Sequence, residues 1–290
     1  MDYKNKGSWD ARTYDQVSYL VQYKWGQQML EWRKWHGNEI VMDAGCGSGL
    51  LTKQLVKKVP RGKVYAVDID SNMIKQARNN LQSFHNVEII QSSFIDIKLP
   101  QRLDVIFSNS ALHWTQDHRK AFQTFWEMLR PMNNNIRDIN NKDTAANGNI
   151  GGGQLLIQCG GDGNLQQIIT LLERMTHLDQ FRAYFTDWRQ SWYFARPDET
   201  DKLLKEIGYE NRRVYSNRDC TILPNRRVYS RFIKTVVAKP YLECLPPDNG
   251  DKLKALFLKL FLDEVKKLSN KSKTRWLLDF VRLNIVAHRP

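Results

Sequence analysis

An apolar run, EIVMDA, breaks into glycines at alternate positions, Gly45, Gly47 and Gly49, and the chain resumes as LLTKQLVKKV with helical spacing. No other stretch limits the possible folds so strongly. Glycine clusters mark positive φ or the close approach of backbone to something else. The helix that follows turns its unpaired N–H groups and the positive end of its dipole toward the turn, where an anionic group is favoured.

The pattern around this turn repeats. KVYAVDID reads as a second strand, SNMIKQARNNLQSF as a helix capped by Ser71, NVEIIQSSF and LDVIFSNS as third and fourth strands, and GQLLIQCGG as a fifth after the helix HRKAFQTFWEMLR. Alternation of strand and helix predicts a parallel sheet covered on both faces. The cofactor-binding core is expected over 38–131 and 154–161. Ahead of it, 1–37 carry Val17, Leu20, Val21, Trp25, Met29 and Trp32 at helical spacing, which predicts an N-terminal helical segment. Residues 132–153 are rich in Asn, end in three glycines and lack apolar periodicity, so they are expected to form a disordered surface loop. The glycines Gly151–Gly153 have no following Lys-Ser/Thr, which a phosphate cradle needs. Lid helices are expected over 162–197, the end of the core over 198–221 and 274–290, and inserted helices over 222–273.

The chain has 290 residues, 41% of them apolar, enough for a substantial core. No run approaches the roughly 20 apolar residues that span a bilayer. The start, MDYKNKGSWDARTYD, lacks the apolar stretch of a signal peptide, so a cytoplasmic protein without a membrane partner is expected. Cys46, Cys159, Cys220 and Cys244 are far apart with no C-x-x-C pair, and read as reduced, mostly buried thiols with no metal site. Lys and Arg outnumber Asp and Glu by 44 to 31, a net +13. That surplus favours acidic ligands, either small carboxylates or nucleic acid, and is equally compatible with a solvated surface.

The spacing of the turn is G-x-G-x-G, whereas the dinucleotide fingerprint has its third glycine one position later. Asp43 closes the first strand. A carboxylate there suits a cation and the helix terminus suits an anion, a pair of demands that a zwitterionic amino acid meets. Asp68, closing the second strand, is positioned to accept from both ribose hydroxyls. Ribose plus an amino acid without phosphate describes S-adenosylmethionine.

On these residues the sequence resembles the class I S-adenosylmethionine-dependent methyltransferases, whose first motif is an acid followed by G-x-G-x-G. The resemblance implies a Rossmann-like seven-stranded, mostly parallel sheet with helices on both faces and an added helical lid. It implies S-adenosylmethionine as cofactor and S-adenosylhomocysteine as product. Gly45, Cys46 and Gly47 would line the methionine end, and Asp43, Gly49 and Asn109 would also be cofactor-binding. Asp68 would take the ribose, and Ile69 and Met73 would flank the adenine. Where the family often has an acid after the third strand, this chain has Ser93 and Phe94, and Asp96 follows three residues later.

The stretch DVIFSNSALHW and the ending RLNIVAHRP are similar to the small-molecule branch of that family, typified by the trans-aconitate, malonyl-carrier-protein and juvenile hormone acid methyltransferases. That likeness implies a small, acidic acceptor and formation of a methyl ester. The Asn/Asp-Pro-Pro-aromatic motif of amino-directed DNA methyltransferases is missing. Cys220 and Cys244 follow Asp219 and Glu243, not the proline common before a cytosine-C5 nucleophile.

A carboxylate is ionised at neutral pH and needs no general base, so alignment and exclusion of water supply the rate. His113 is either a base or a pocket-shaping partner of the backbone. Trp114 either walls the transfer channel or packs the sheet. Tyr14, Trp192, Arg182 and Arg189 are candidates for the acceptor side, with Arg189 first as a bidentate carboxylate clamp. Two further readings stay open: an RNA or protein methyltransferase using basic helices such as KLKALFLKLFLDEVKK, and a cofactor-binding protein without catalysis.

Overall fold

The structure, a computed structural model, describes residues 9–18, 21–132, 152–246, 250–272 and 276–290. Strands β1 (Ile40–Ala44), β2 (Lys63–Asp68), β3 (Val87–Gln91), β4 (Val105–Asn109) and β5 (Gln154–Gly160) pair in parallel. Strand β7 (Leu277–His288) enters antiparallel between β5 and β6 (Glu210–Ile222). The sheet order is β3-β2-β1-β4-β5-β7-β6, so the winding reverses between β1 and β4 and opens a crevice at those strand ends.

Successive residues of the central strands feed opposite faces, as the pleat demands. Val41, Val105 and Leu156 pack with α3 (Thr52–Lys58) on one side. Met42, Ile106 and Leu155 meet Phe122 and Phe125 of α5 (His118–Met128) on the other. Helix α4 (Ser71–Leu81) is capped by Asp70, not by the expected Ser71. Asp70 keeps an extended backbone and accepts from the N–H groups of Asn72 and Met73, while Ser71 is already inside the helix.

A second apolar core lies above the strand ends. It joins α1 (Ala11–Ser18), α2 (Gln22–Met29), α6 (Gln166–Thr176), α8 (Arg226–Phe232) and α10 (Gly250–Ser272) around Phe181, Phe232, Tyr241, Phe257 and Phe261. Helix α8 continues into a π-helical turn, Ile233–Val237, and a short α9 (Lys239–Leu242).

The lid differs from expectation. After α6, residues 177–196 form one 3-10 turn, Arg182–Tyr184, and otherwise no regular helix before α7 (Pro197–Ile207). Its aromatics are anchored one by one: Phe181 and Trp192 are buried while Tyr184 is exposed, so the segment has no continuous apolar face to support a helix.

The expected loop over 132–153 lies mostly outside the described residues, which end at Met132 and resume at Gly152. Gly153 is hydrogen-bonded in place just ahead of β5. Its N–H donates to Arg130 O at 2.7 Å and its carbonyl accepts from Arg289 N at 2.8 Å. Among the described residues no helix is long and apolar enough to cross a membrane. Cys46 and Cys159 are buried, but Cys220 is exposed on the edge strand β6.

Candidate active site

A cavity of about 750 Å³ occupies the crevice, floored by the ends of β1, β2, β4 and β5 and roofed by the helical cap. The glycine turn forms one wall. Gly45 has φ +81°, and a side chain there would collide with Ala111. Gly47 has φ +55°, and a side chain there would meet nothing within 4 Å. The first glycine is required by packing. The second leaves bare backbone facing open space.

Asp68 reaches over from β2. Its Oδ2 accepts Gly47 N–H at 2.8 Å and its Oδ1 accepts Asp70 N–H at 2.9 Å. Burial lifts its carboxyl to about 6 against those two donors. Its remaining lone pairs are placed to accept from a diol. Asn109 donates to Gln22 O at 3.1 Å, and its buried Oδ1 is left without a partner among the described residues. Ile69, Met73, Ser93 and Phe94 line the same end. Asp96 lines it as well, ion-paired with Lys120.

Three of the expected cofactor residues sit behind the wall and not in it. Asp43 is buried, accepts Thr52 Oγ1 at 2.7 Å, and has its carboxyl raised to about 7 by burial and by the neighbouring Asp68. Cys46 is also buried, its thiol pushed well up by burial. Gly49 abuts Leu81 of α4. None of the three lines the cavity: Asp43 faces Thr52 of α3, and Cys46 and Gly49 face α4.

The opposite end is aromatic. Trp114 meets Trp9 and Trp192 edge-on, each at 5.5 Å, and Trp192 stacks on Phe194 at 5.8 Å. Trp114 therefore walls the cavity. His113 Nδ1 accepts Gly160 N–H at 3.2 Å, which leaves the ring hydrogen on Nε2. Burial, with His118 next to it, pushes His113 down to about 3, so the ring is a neutral donor at pH 7. His118, which sequence reading passed over, supports this turn by contacting Leu112 O at 3.2 Å. Tyr14 also lines the cavity, its hydroxyl donating to Gln22 Oε1 at 2.8 Å.

The expected arginine clamp is not formed. Arg182 and Arg189 are both exposed, and Arg182 pairs with Asp179. The guanidinium that does line the cavity is Arg282 of β7, its side chain 11% exposed. It lies 4.5 Å from the Trp25 ring, donates to Gln158 Oε1 at 3.3 Å and pairs with Asp219 at 3.4 Å. Trp9, Gln22, Trp25 and Arg282 are the site residues that sequence reading missed.

The donor set fits S-adenosylmethionine: a diol acceptor at Asp68, open backbone at Gly47, and aromatic faces that favour a cationic methyl donor. Comparisons with known proteins agree. Residues 41–132 match the model of a methyltransferase domain family. Over nearly its whole length the chain is similar to an uncharacterized methyltransferase of Schizosaccharomyces pombe, 24% identical across 97% of this chain and 98% of that one. It is 36% identical to the trans-aconitate 2-methyltransferase of Rhodopseudomonas palustris, but only over 31% of this chain and 34% of that protein. Among solved structures it is similar to phosphoethanolamine N-methyltransferase 2 of Haemonchus contortus in complex with S-adenosylhomocysteine. The TM-score is 0.57, with 15% identity over 97% of this chain and 57% of that one. The chain is an S-adenosylmethionine-dependent methyltransferase with a methyltransferase domain over residues 41–132.

Proposed function

We propose that the enzyme methylates the carboxylate of a small molecule with an apolar body, forming a methyl ester. Bound S-adenosylmethionine supplies an electrophilic methyl group. The chain's residues do the remaining work. Asp68 holds the ribose hydroxyls, Gly47 and Asn109 receive the methionine end, and Ile69, Met73, Ser93 and Phe94 border the adenine. Tyr14, Trp114 and Trp192 close the acceptor side against water, which strengthens every charge interaction inside.

The observation that carries the reading is the chemistry around the acceptor end. Its imidazole, His113, is a neutral donor and no base, and Arg282 supplies a cation on β7. Gly160, whose N–H fixes His113, is the register partner of Arg282 across β5 and β7. An acceptor that must lose a proton finds no base in the imidazole, whereas a carboxylate arrives ionised and finds a cation and a donor. Ile169, Phe232, Val236 and Phe280 line the same region and suit an apolar body.

A panel of carboxylic acids, alcohols and amines, scored for cofactor-dependent methyl transfer from labelled S-adenosylmethionine, tests this. Ester formation on apolar acids is expected. Turnover confined to amines or alcohols overturns the carboxylate assignment, and turnover confined to RNA or protein overturns the small-molecule one.

A further inference from the structure

A groove of about 520 Å³ runs between α1 and α8 at the rim of the cavity. Arg227, Arg231 and Lys234 line it at i, i+4 and i+7, one face of the helix as it passes into the π turn. All three are exposed, and among the described residues none of them is ion-paired. Arg231 donates to the neutral Gln16 Oε1, at 3.1 Å. Thr13, Ser230 and Thr235 add hydroxyls to the walls. Asp10 is the acid on the lining, and its Oδ1 accepts Thr13 N–H at 3.1 Å. Trp9 and Lys239 line both groove and cavity, Lys239 lying 5.1 Å from the Trp9 ring and ion-paired with Glu243.

We propose that this groove binds a phosphate or pyrophosphate group on the far end of the acceptor, whose carboxylate enters the cavity. The chain carries a net +13, and here three cations and three hydroxyls converge on one depression. A carboxylate, with two oxygens, leaves most of those donors unused. A phosphate offers at least three acceptor oxygens and close to two charges, and arginines meet it bidentately. The shared wall of Trp9 and Lys239 lets one elongated ligand occupy both spaces. That the phosphate belongs to the acceptor rests on the carboxylate reading above, whereas phosphate binding in the groove does not.

The groove is tested first by titrating inorganic pyrophosphate into the chain saturated with S-adenosylhomocysteine, which keeps the probe out of the methionine end. One-site binding is expected. It should weaken about tenfold or more in the double variant Arg231→Gln, Lys234→Gln. It should be unchanged in Lys252→Gln, Lys259→Gln on α10, with melting temperature and S-adenosylhomocysteine affinity retained in both. Equal loss in both variants, or in neither, overturns the groove. The second arm compares a long-chain alkanoic acid with the ω-phosphono acid of the same length. The phosphono acid should bind about tenfold tighter, and the Arg231/Lys234 variant should erase that gain. Pyrophosphate binding without such a gain overturns the link to the acceptor. If pyrophosphate binds and neither acid does, the carboxylate reading fails and the groove stands.

Discussion

The carboxylate of Asp68, at the end of β2, accepts the backbone N–H of Gly47 at 2.8 Å, so the cavity's acid and the open glycine hold each other in place. Replacing Asp68 by Asn should weaken S-adenosylhomocysteine binding by about 1.5–3 kcal/mol for each charged hydrogen bond lost. With the carboxyl at about 6, affinity should also fall as pH drops from 7 to 5, because protonation removes the acceptor the diol needs. Calorimetry across that range checks both. An affinity indifferent to pH and to the substitution would move the ribose contact elsewhere.

Asp43 gives a contrast in sign. Its carboxyl is raised from 3.8 to about 7, so the folded chain holds a proton that the unfolded chain releases. The stability this contributes is full below pH 4 and is lost as pH rises through 7. Asp43→Asn keeps an acceptor for Thr52 and removes the titration. Its melting temperature should gain on the parent between pH 5 and pH 7 and level off above. Because Asp43 does not line the cavity, this variant should lose far less cofactor affinity than Asp68→Asn.

The two glycines separate packing from binding. Gly45→Ala would drive a methyl into Ala111 at φ +81° and should lower the melting temperature strongly. Gly47→Ala meets no neighbour and carries only the left-handed backbone strain, of order 1 kcal/mol. It should fold and bind S-adenosylhomocysteine poorly. Equal thermal loss in the two variants would contradict the distinction.

His113 held as a neutral donor predicts a methyl-transfer rate with no titration near 6.5 on the best acid from the panel. His113→Asn should lower kcat while leaving the shape of the pH profile unchanged. A limb near 6.5 that disappears in the variant would restore the base role.

Residues 133–151 connect ends that already lie together, since Met132 N is 3.2 Å from where a Gly152 side chain would begin. Replacing them with a short Gly-Ser linker should leave the melting temperature and cofactor affinity intact. Carrying the replacement on to a Ser at position 153 should not, because a side chain there would meet Leu103 O and Leu129 Cδ2, each at 2.8 Å. Differential scanning fluorimetry of the two deletions reads the difference.

The fold around the glycine turn was legible because its signals are local. Asp68 closes a strand beside a glycine turn, and strand and helix alternate in unbroken order. Position within the turn was harder to read. Asp43, Cys46 and Gly49 belong to the same motif, yet the backbone turns them toward α3 and α4. The far end of the cavity draws on distant parts of the chain: Arg282 meets Gln158 from 124 positions away. One hint existed, a lone arginine inside the apolar run of the last strand. Arg189 was misplaced because aromatic neighbours in a segment without periodicity do not determine which way a side chain points.

Strands β6 and β7 pair up to Ile222 opposite Leu277, and Leu223 N–H donates to Trp276 O at 3.0 Å just beyond. Everything from α8 to α10 hangs from that one neck. Its two junctions are adjacent, so this part of the roof over the cavity is a cassette: it can be exchanged or lengthened without altering the register of any sheet strand. Relatives that share this cofactor half need not share a substrate, and grafting another enzyme's segment between Leu223 and Trp276 is a direct route to a new acceptor.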